Sequence, residues 1–347
     1  MPGAHATGLP QVGQTTMRRR SSPDVLLECV PNVSEGRRAE VIDQIAAAFA
    51  QASPEVLLLD RSSDPDHNRT VLTLAGPGPA LVEAAVAGAT ACAQLIELTR
   101  HQGVHPRMGA LDVLPFAPLG AATRLKGAAD PDLDCAAIAE RAGRRIAADA
   151  GIPVYLYGAA AGRPDRAALP AVRGRGFESL RAALAAEGPA AGGQGPGRGP
   201  DFGGPGLHPT AGATAVGARE VLVAYNVDLA DADLELARRI ATAVRERDGG
   251  LPAVRAMGVE LAGRGLAQVS MNLLDYRVTP PAVAFAAVAA LAELAGARVA
   301  ASEIVGLVPA AALAGTDPAD LRLRGFTPDL LLENRLARAL DTHAEVT

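Results

Sequence analysis

The chain has 347 residues, more than the roughly 250–300 at which a single hydrophobic core usually stops growing, so two packed units are expected. Hydrophobic residues make up 49% of it but aromatics only 3%, with no Trp, so the core must be built from Ala, Val and Leu. A net charge of -5 and scarce aromatic platforms argue against nucleic acid as a partner, and no stretch approaches the roughly 18 consecutive apolar residues of a membrane span.

In chain order, residues 1–23 are rich in Gly, Thr and Pro, and no apolar run follows Arg18, Arg19 and Arg20, so they read as a disordered extension or a misassigned start rather than a secretory signal. A buried strand is predicted over 25–30, ended by Pro31, Asn32 and Ser34. Helical spacing of Val41, Ile42, Ile45, Ala46 and Phe49 follows. Next come a strand at 56–59, a polar turn at 62–68 and a second strand at 70–74. A helix carrying Leu81, Val82, Ala85, Val86, Ala89, Leu95 and Ile96 closes this run. The same order returns later: strand 221–227, helix 231–245, strands 254–260 and 266–272, helix 281–294 and strand 298–304. Each copy fits a split βαβ unit, so the fold class is α+β, with two ferredoxin-like (βαββαβ) subdomains and a cleft or tunnel between them. The boundaries that follow are an extension 1–23, a first subdomain 24–217, a second 218–335 and a tail 336–347. Between the copies lie a helix at 134–148, a strand at 153–157, and a loop at 188–206 too rich in Gly and Pro to bury a core. Cys29, Cys92 and Cys135 are widely spaced with no CxxC pair, which predicts free thiols, no zinc site and a reducing, cytoplasmic compartment.

Three polar clusters stand out from the Ala-rich background. The loop His105, Pro106, Arg107, Met108, Gly109, Ala110, Leu111, Asp112 falls between a helix and an apolar strand, where functional groups are commonly mounted. A lone histidine is nevertheless more often structural, and loop position alone leaves both readings of His105 open. The turn Ser62, Ser63, Asp64, Asp66, His67, Asn68, Arg69 has the composition of simple turn chemistry. It also offers carboxylates for a cationic amidine and an Arg for an anion. The third is Gly203, Gly204, Pro205, Gly206, Leu207, His208, Pro209, Thr210, Ala211, Gly212, which could line a flat heterocycle with backbone groups. Neither GxxxxGK[ST] nor a strand-to-helix GxGxxG occurs, so nucleotide binding loses its usual support.

From about residue 24 to the low 310s the chain resembles the glutamate formiminotransferase family. The resemblance rests on Glu28-Cys-Val-Pro-Asn-Val-Ser-Glu-Gly36, Asn68-Arg-Thr-Val71, His105-Pro-Arg-Met-Gly-Ala-Leu-Asp112, Val154-Tyr-Leu-Tyr-Gly158, Pro200-Asp-Phe-Gly203, Gly217-Ala-Arg219, Leu266-Ala-Gln-Val-Ser270, Asn272-Leu-Leu-Asp275 and Val305-Gly-Leu-Val-Pro309. It implies transfer of the formimino group from N-formimino-L-glutamate to N5 of tetrahydrofolate, a step of histidine degradation and one-carbon metabolism. It further implies His105 as the catalytic acid/base and Gly203 to Gly212 as the folate-binding stretch. Ser62 stands where the family has an acidic residue, with Asp64 and Asp66 as substitutes, and Ala211 where it has a Trp. Arg69 and Arg107 are the expected carboxylate ligands, and no metal is expected. A homodimer is one compatible assembly. The cyclodeaminase part of the fused relatives is absent, so a separate cyclodeaminase would act downstream. A formyl donor at the same site is the nearest alternative. A noncatalytic folate- or small-ligand-binding module is the alternative of another class.

Overall fold

A computed structural model describes residues 22–174, 176–182, 199–261 and 263–346. The expected extension, but for its last two residues, and residues 188–198 of the Gly-rich stretch lie outside the described residues. Pro23 opens a short 3-10 turn, Pro23–Val25, capped by the Ser22 hydroxyl.

The predicted first strand is split in two, β1 (Leu27–Cys29) and β2 (Asn32–Val33). Pro31 cannot donate a ladder hydrogen bond, so the strand breaks there without ending. Beyond it, Asn32 and Val33 again pair with strands on both sides. Helix α1 (Ala39–Ala50) follows, then β3 (Leu57–Asp64), β4 (Arg69–Gly76), helix α2 (Gly78–Leu95) and β5 (Leu111–Pro118). Treating β1 and β2 as one interrupted strand, the strand order β5, β1/β2, β4, β3 is the antiparallel arrangement of a ferredoxin-like unit. Helix α3 (Cys135–Asp149) leads to β6 (Val154–Gly158). A short helix α4 (Leu169–Arg173) and β7 (Thr214–Ala218) complete this half. Strands β7 and β6 extend the sheet in parallel beyond β5.

The second unit repeats the pattern with β8 (Val223–Ala230), α5 (Leu234–Val244), β9 (Val254–Leu261), β10 (Leu266–Leu273), α6 (Pro281–Leu294) and β11 (Arg298–Val305). Its order, β11-β8-β10-β9, is the same fourth-first-third-second sequence. Helix α5 starts later than its acidic run implies, because the Asp233 side chain caps it by accepting from Leu236 N. The second strand pair and helix α6 fall where the periodicity puts them.

Alternation along the strands sorts side chains between two faces. Leu27, Cys29, Leu72, Leu74, Leu114 and Phe116 point into a core beneath α1, α2 and α3. Val223, Tyr225, Val227, Val269 and Met271 do the same for the second unit. The opposite faces look toward each other across a cavity, giving four layers: helices, sheet, sheet, helices. A last helix, α7 (Leu332–Val346), returns to the first unit and packs on β3, with Leu332 buried beside Leu59, Ala75 and Leu307. It runs unbroken through the expected 335/336 boundary.

Helices α1 and α2 meet where Gly88 lies flat against Phe49: a Cβ there would fall inside the ring. Gly88→Ala would gain about 1 kcal/mol of helix propensity on an open surface. Here overpacking outweighs it, and a net loss of about 1–2 kcal/mol is expected in urea unfolding. Combining it with Phe49→Leu should cost less than the sum of the two single changes.

Candidate active site between the two sheets

The cavity between the facing sheets has a volume of about 490 Å³, within the range of small-molecule sites. It is reached by cavity-facing side chains of both halves: Glu28, Val30 and Asn32 from β1/β2, Arg69, Val71 and Thr73 from β4, and Asn226, Ser270 and Asn272 from the second sheet.

His105 sits on the loop after α2, and that loop is fixed by the β3–β4 turn. Asn68, with φ of 49°, turns the chain back sharply. Its side chain accepts from Gly36 N at 2.9 Å and donates to Gln102 O at 2.8 Å, while its carbonyl meets His101 Nε2 at 2.9 Å. One residue therefore ties together three segments, each bond spanning 32 to 34 residues. Gly36 and Gly103 allow this approach: a Cβ on either would collide with turn backbone, Asp64 O and Arg69 N for Gly36, His67 O for Gly103.

Beneath the loop lies Asp112, fully buried at 0% exposure. Its Oδ1 accepts from Met108 N at 2.8 Å, and its Oδ2 accepts from Arg69 Nη1 and Arg173 Nη2, each at 2.8 Å. Arg69 also donates from Nε and Nη2 to Asn32 Oδ1, at 3.2 and 2.7 Å. Burial pulls the Arg69 pKa down, and the Asp112 charge opposes that pull.

His105 Nδ1 has two neighbours of opposite polarity: Pro106 O at 2.7 Å, which can only accept, and Arg69 Nη1 at 3.0 Å, which can only donate. The carbonyl contact is the shorter of the two. Nδ1 therefore carries the proton, and Nε2, with no hydrogen-bond partner among the described residues, presents its lone pair. His105 is half-buried. That burial, followed by the Arg69 and Arg173 charges, holds its pKa well below the ordinary imidazole value. The result is a neutral base that gives up an acquired proton readily. His101 is also lowered by burial, but its Nε2 is occupied by Asn68 O and it lies outside the cavity lining.

The structure brings only some of the expected site residues together. His105, Arg69, Asp64 and Ser62 line the cavity. Asp64 Oδ1 accepts from the Asp66 and His67 amides and lies 3.1 Å from His67 Nδ1, while Oδ2 accepts from Arg264 Nη2 at 2.6 Å. These contacts hold its carboxyl far below the usual range against the opposing effect of burial. Asp66 Oδ1 accepts from Gly263 N at 3.3 Å. Both acids thus latch the first half to the β9–β10 turn of the second. Arg107 turns away from the cavity to His101 O and Glu178 Oε1. The stretch from Gly203 to Gly212 is absent from the cavity wall: Ala211 is buried in the helix-side core, and the Ala211 amide donates to His208 Nδ1 at 3.0 Å.

Sequence reasoning assigned no role to Asp112, Arg173, Asn32, Glu28 or Arg255. Asn32 and Asp112 stood inside the quoted motifs, and their polarity in otherwise apolar strands was the available signal. Arg255, half-buried in the wall, makes no hydrogen bond or ion pair with a described residue, so it is a cation open to an anionic ligand. Among the described residues no group of three or more His, Cys, Asp or Glu could hold a metal ion, no helix is long and apolar enough to cross a membrane, and the three cysteines are free and buried.

Family models match the chain twice: the formiminotransferase domain, N-terminal subdomain, over residues 26–219, and the formiminotransferase domain over residues 224–319. Among similar proteins is a glutamate formimidoyltransferase of Thermoplasma acidophilum, 40% identical over 317 residues that cover 90% of this chain and 98% of the relative. Another, from Streptococcus pyogenes serotype M1, is 39% identical over 312 residues with the same two coverages, 90% and 98%. The formimidoyltransferase-cyclodeaminase of Sus scrofa is 43% identical over 294 residues, 83% of this chain but 51% of that longer protein.

Three outcomes follow from this geometry. Asp112→Asn leaves two buried guanidiniums without a counter-charge and should cost about 3 kcal/mol or more in chemical denaturation. Because the folded His105 pKa lies below its unfolded value, its contribution to stability is present above pH ~6.5 and is lost as pH falls toward the folded value. By the same sign, a reaction that needs neutral His105 should keep its rate through pH 6.5. The acid limb of its kcat/KM profile should appear only below that, and a limb centred at or above 6.5 would contradict the geometry.

Proposed function

The chain belongs to the formiminotransferase family, and from that membership we propose that it transfers the formimino group of N-formimino-L-glutamate to N5 of tetrahydrofolate, releasing L-glutamate. The observation that carries this reading is His105 Nε2, a neutral, unpartnered base at a cavity walled by both halves.

N5 attacks the amidine carbon and becomes positively charged as the new C–N bond forms. His105 Nε2 takes the proton from N5, then delivers it to the glutamate nitrogen as the old C–N bond breaks. A base of low pKa is sufficient, because the ammonium formed by the attack is itself acidic. The imidazolium that forms between faces Arg69 and Arg173, which favour its return to neutrality. Arg69 serves as a positioning residue: its guanidinium is committed to Asn32 and Asp112, which leaves Arg255 better placed to receive a substrate carboxylate. The carboxylates Asp64 and Asp66 act through the latch, which sets the spacing of the two sheets, and the folate is held in the cavity rather than along Gly203 to Gly212. Three free, buried thiols fit a reducing cytoplasm.

Purified protein assayed with N-formimino-L-glutamate and, separately, N-formyl-L-glutamate should use the first and leave the second largely unconverted. His105→Ala should lower kcat by about 100-fold or more with folding intact, and His101→Ala should retain most of the activity. Loss of transfer in His101→Ala with full activity in His105→Ala would overturn the assignment.

A further inference from the structure

Strand β1 carries a carboxylate that the chemistry above does not use. Glu28 lines the cavity yet is only 4% exposed, and its Oε2 is buried without a hydrogen-bond partner. Its cross-strand neighbours are Ala75 on β4 and Ala117 on β5, neither of which offers a side-chain donor. Burial raises its pKa, and the Arg219 charge offsets this only in part. A buried carboxyl left in this state is costly to keep unless a ligand supplies the missing donors.

Its position says which ligand. Glu28, Val30 and Asn32 face the cavity from one strand line. At about 3.3 Å per residue, Glu28 lies on the order of 13 Å along that line from Asn32. Asn32 holds Arg69, which in turn touches His105, so Asn32 marks the end where the proton moves. The amidine carbon must sit at that end during transfer, which places the cationic amidine beyond the reach of Glu28. The span between the two ends is that of a fused two-ring heterocycle with a hydrogen bond at either end.

We propose that Glu28 is the specificity residue for the one-carbon acceptor: its carboxylate accepts two parallel hydrogen bonds, from N3–H and the exocyclic 2-amino group at the pyrimidine edge of the pterin, while N5 faces His105. The assignment rests on the acceptor identity proposed above. The two side-by-side donors of a 2-amino-4-oxopyrimidine match a carboxylate as a guanidinium does. A site built on that match rejects an analogue lacking one of the donors, because a buried acceptor is then left unpaired.

The test uses the full chain with tetrahydrofolate and with its analogue lacking the 2-amino group, reading KM in the transfer assay and Kd by calorimetry. Wild type should bind the analogue at least about 10-fold more weakly than tetrahydrofolate. Glu28→Gln should weaken tetrahydrofolate by a similar factor and bind both ligands nearly equally, with KM for N-formimino-L-glutamate and the thermal midpoint little changed. Glu28→Asp, which keeps the charge one methylene shorter, should retain part of the discrimination. Equal weakening of both ligands in Glu28→Gln, or a wild type indifferent to the 2-amino group, would overturn the proposal. Discriminating binding of tetrahydrofolate without formimino transfer would leave the Glu28 assignment standing and remove the reaction proposed above, whereas a wild type that binds no tetrahydrofolate removes both.

Discussion

A carboxylate with no access to water must be met by donors on every side, and Asp112 is that group here. It takes an amide from its own loop and one guanidinium each from β4 and α4. Those three partners are the parts that must coincide for the cavity to have a chemical end: the His105 loop, the strand bearing Arg69 and the short helix that ends at Arg173. The energetic cost of burying the charge is recovered only when all three are in place, so one ion fixes the geometry of several elements. Burial does most to lower the His105 pKa, and the two cations that Asp112 holds beside the ring lower it further.

Much of the architecture was legible because it is written in alternation. Nearly every strand sends one set of side chains to a helix-covered core and the other to the cavity, and two rounds of strand, helix, strand, strand, helix, strand are visible as two rounds of changing periodicity. The site was less legible for a related reason. Glu28, Asn32 and Asp112 interrupt apolar strands singly, and an isolated polar residue in a strand carries no sign of what faces it. Pro31 compounded this by making the strand look finished one residue before Asn32.

Composition was a weaker guide in the loops. Arg107 and Arg69 are two residues of the same type, each beside a polar turn or loop, yet one reaches Glu178 and the other the cavity. Nothing local distinguishes them, because their direction depends on where distant backbone passes. The run from Gly203 to Gly212 reads as a ligand-lining stretch by its glycines. Its last residues instead enter the sheet: Ala110 N donates to Ala211 O, and β7 begins two residues after Gly212. Only the tertiary pairing reveals that the backbone groups of Ala211 and Gly212 are already taken.

The two halves are joined at more than their connecting chain. Asp64 and Asp66 engage the β9–β10 turn, and α7, the last helix in the chain, lies across β3, a strand formed from residues 57–64. The apolar cluster around Leu59 is covered by Leu119 and Leu307 as well as by Leu332 and Leu336, so it stays incomplete until residues 332–346 emerge. During synthesis the first half holds an apolar edge that its own sequence cannot close. Full covering of that cluster is consequently a late event that awaits α7, and a chain stalled before it would present exposed apolar side chains to chaperones or to other nascent chains.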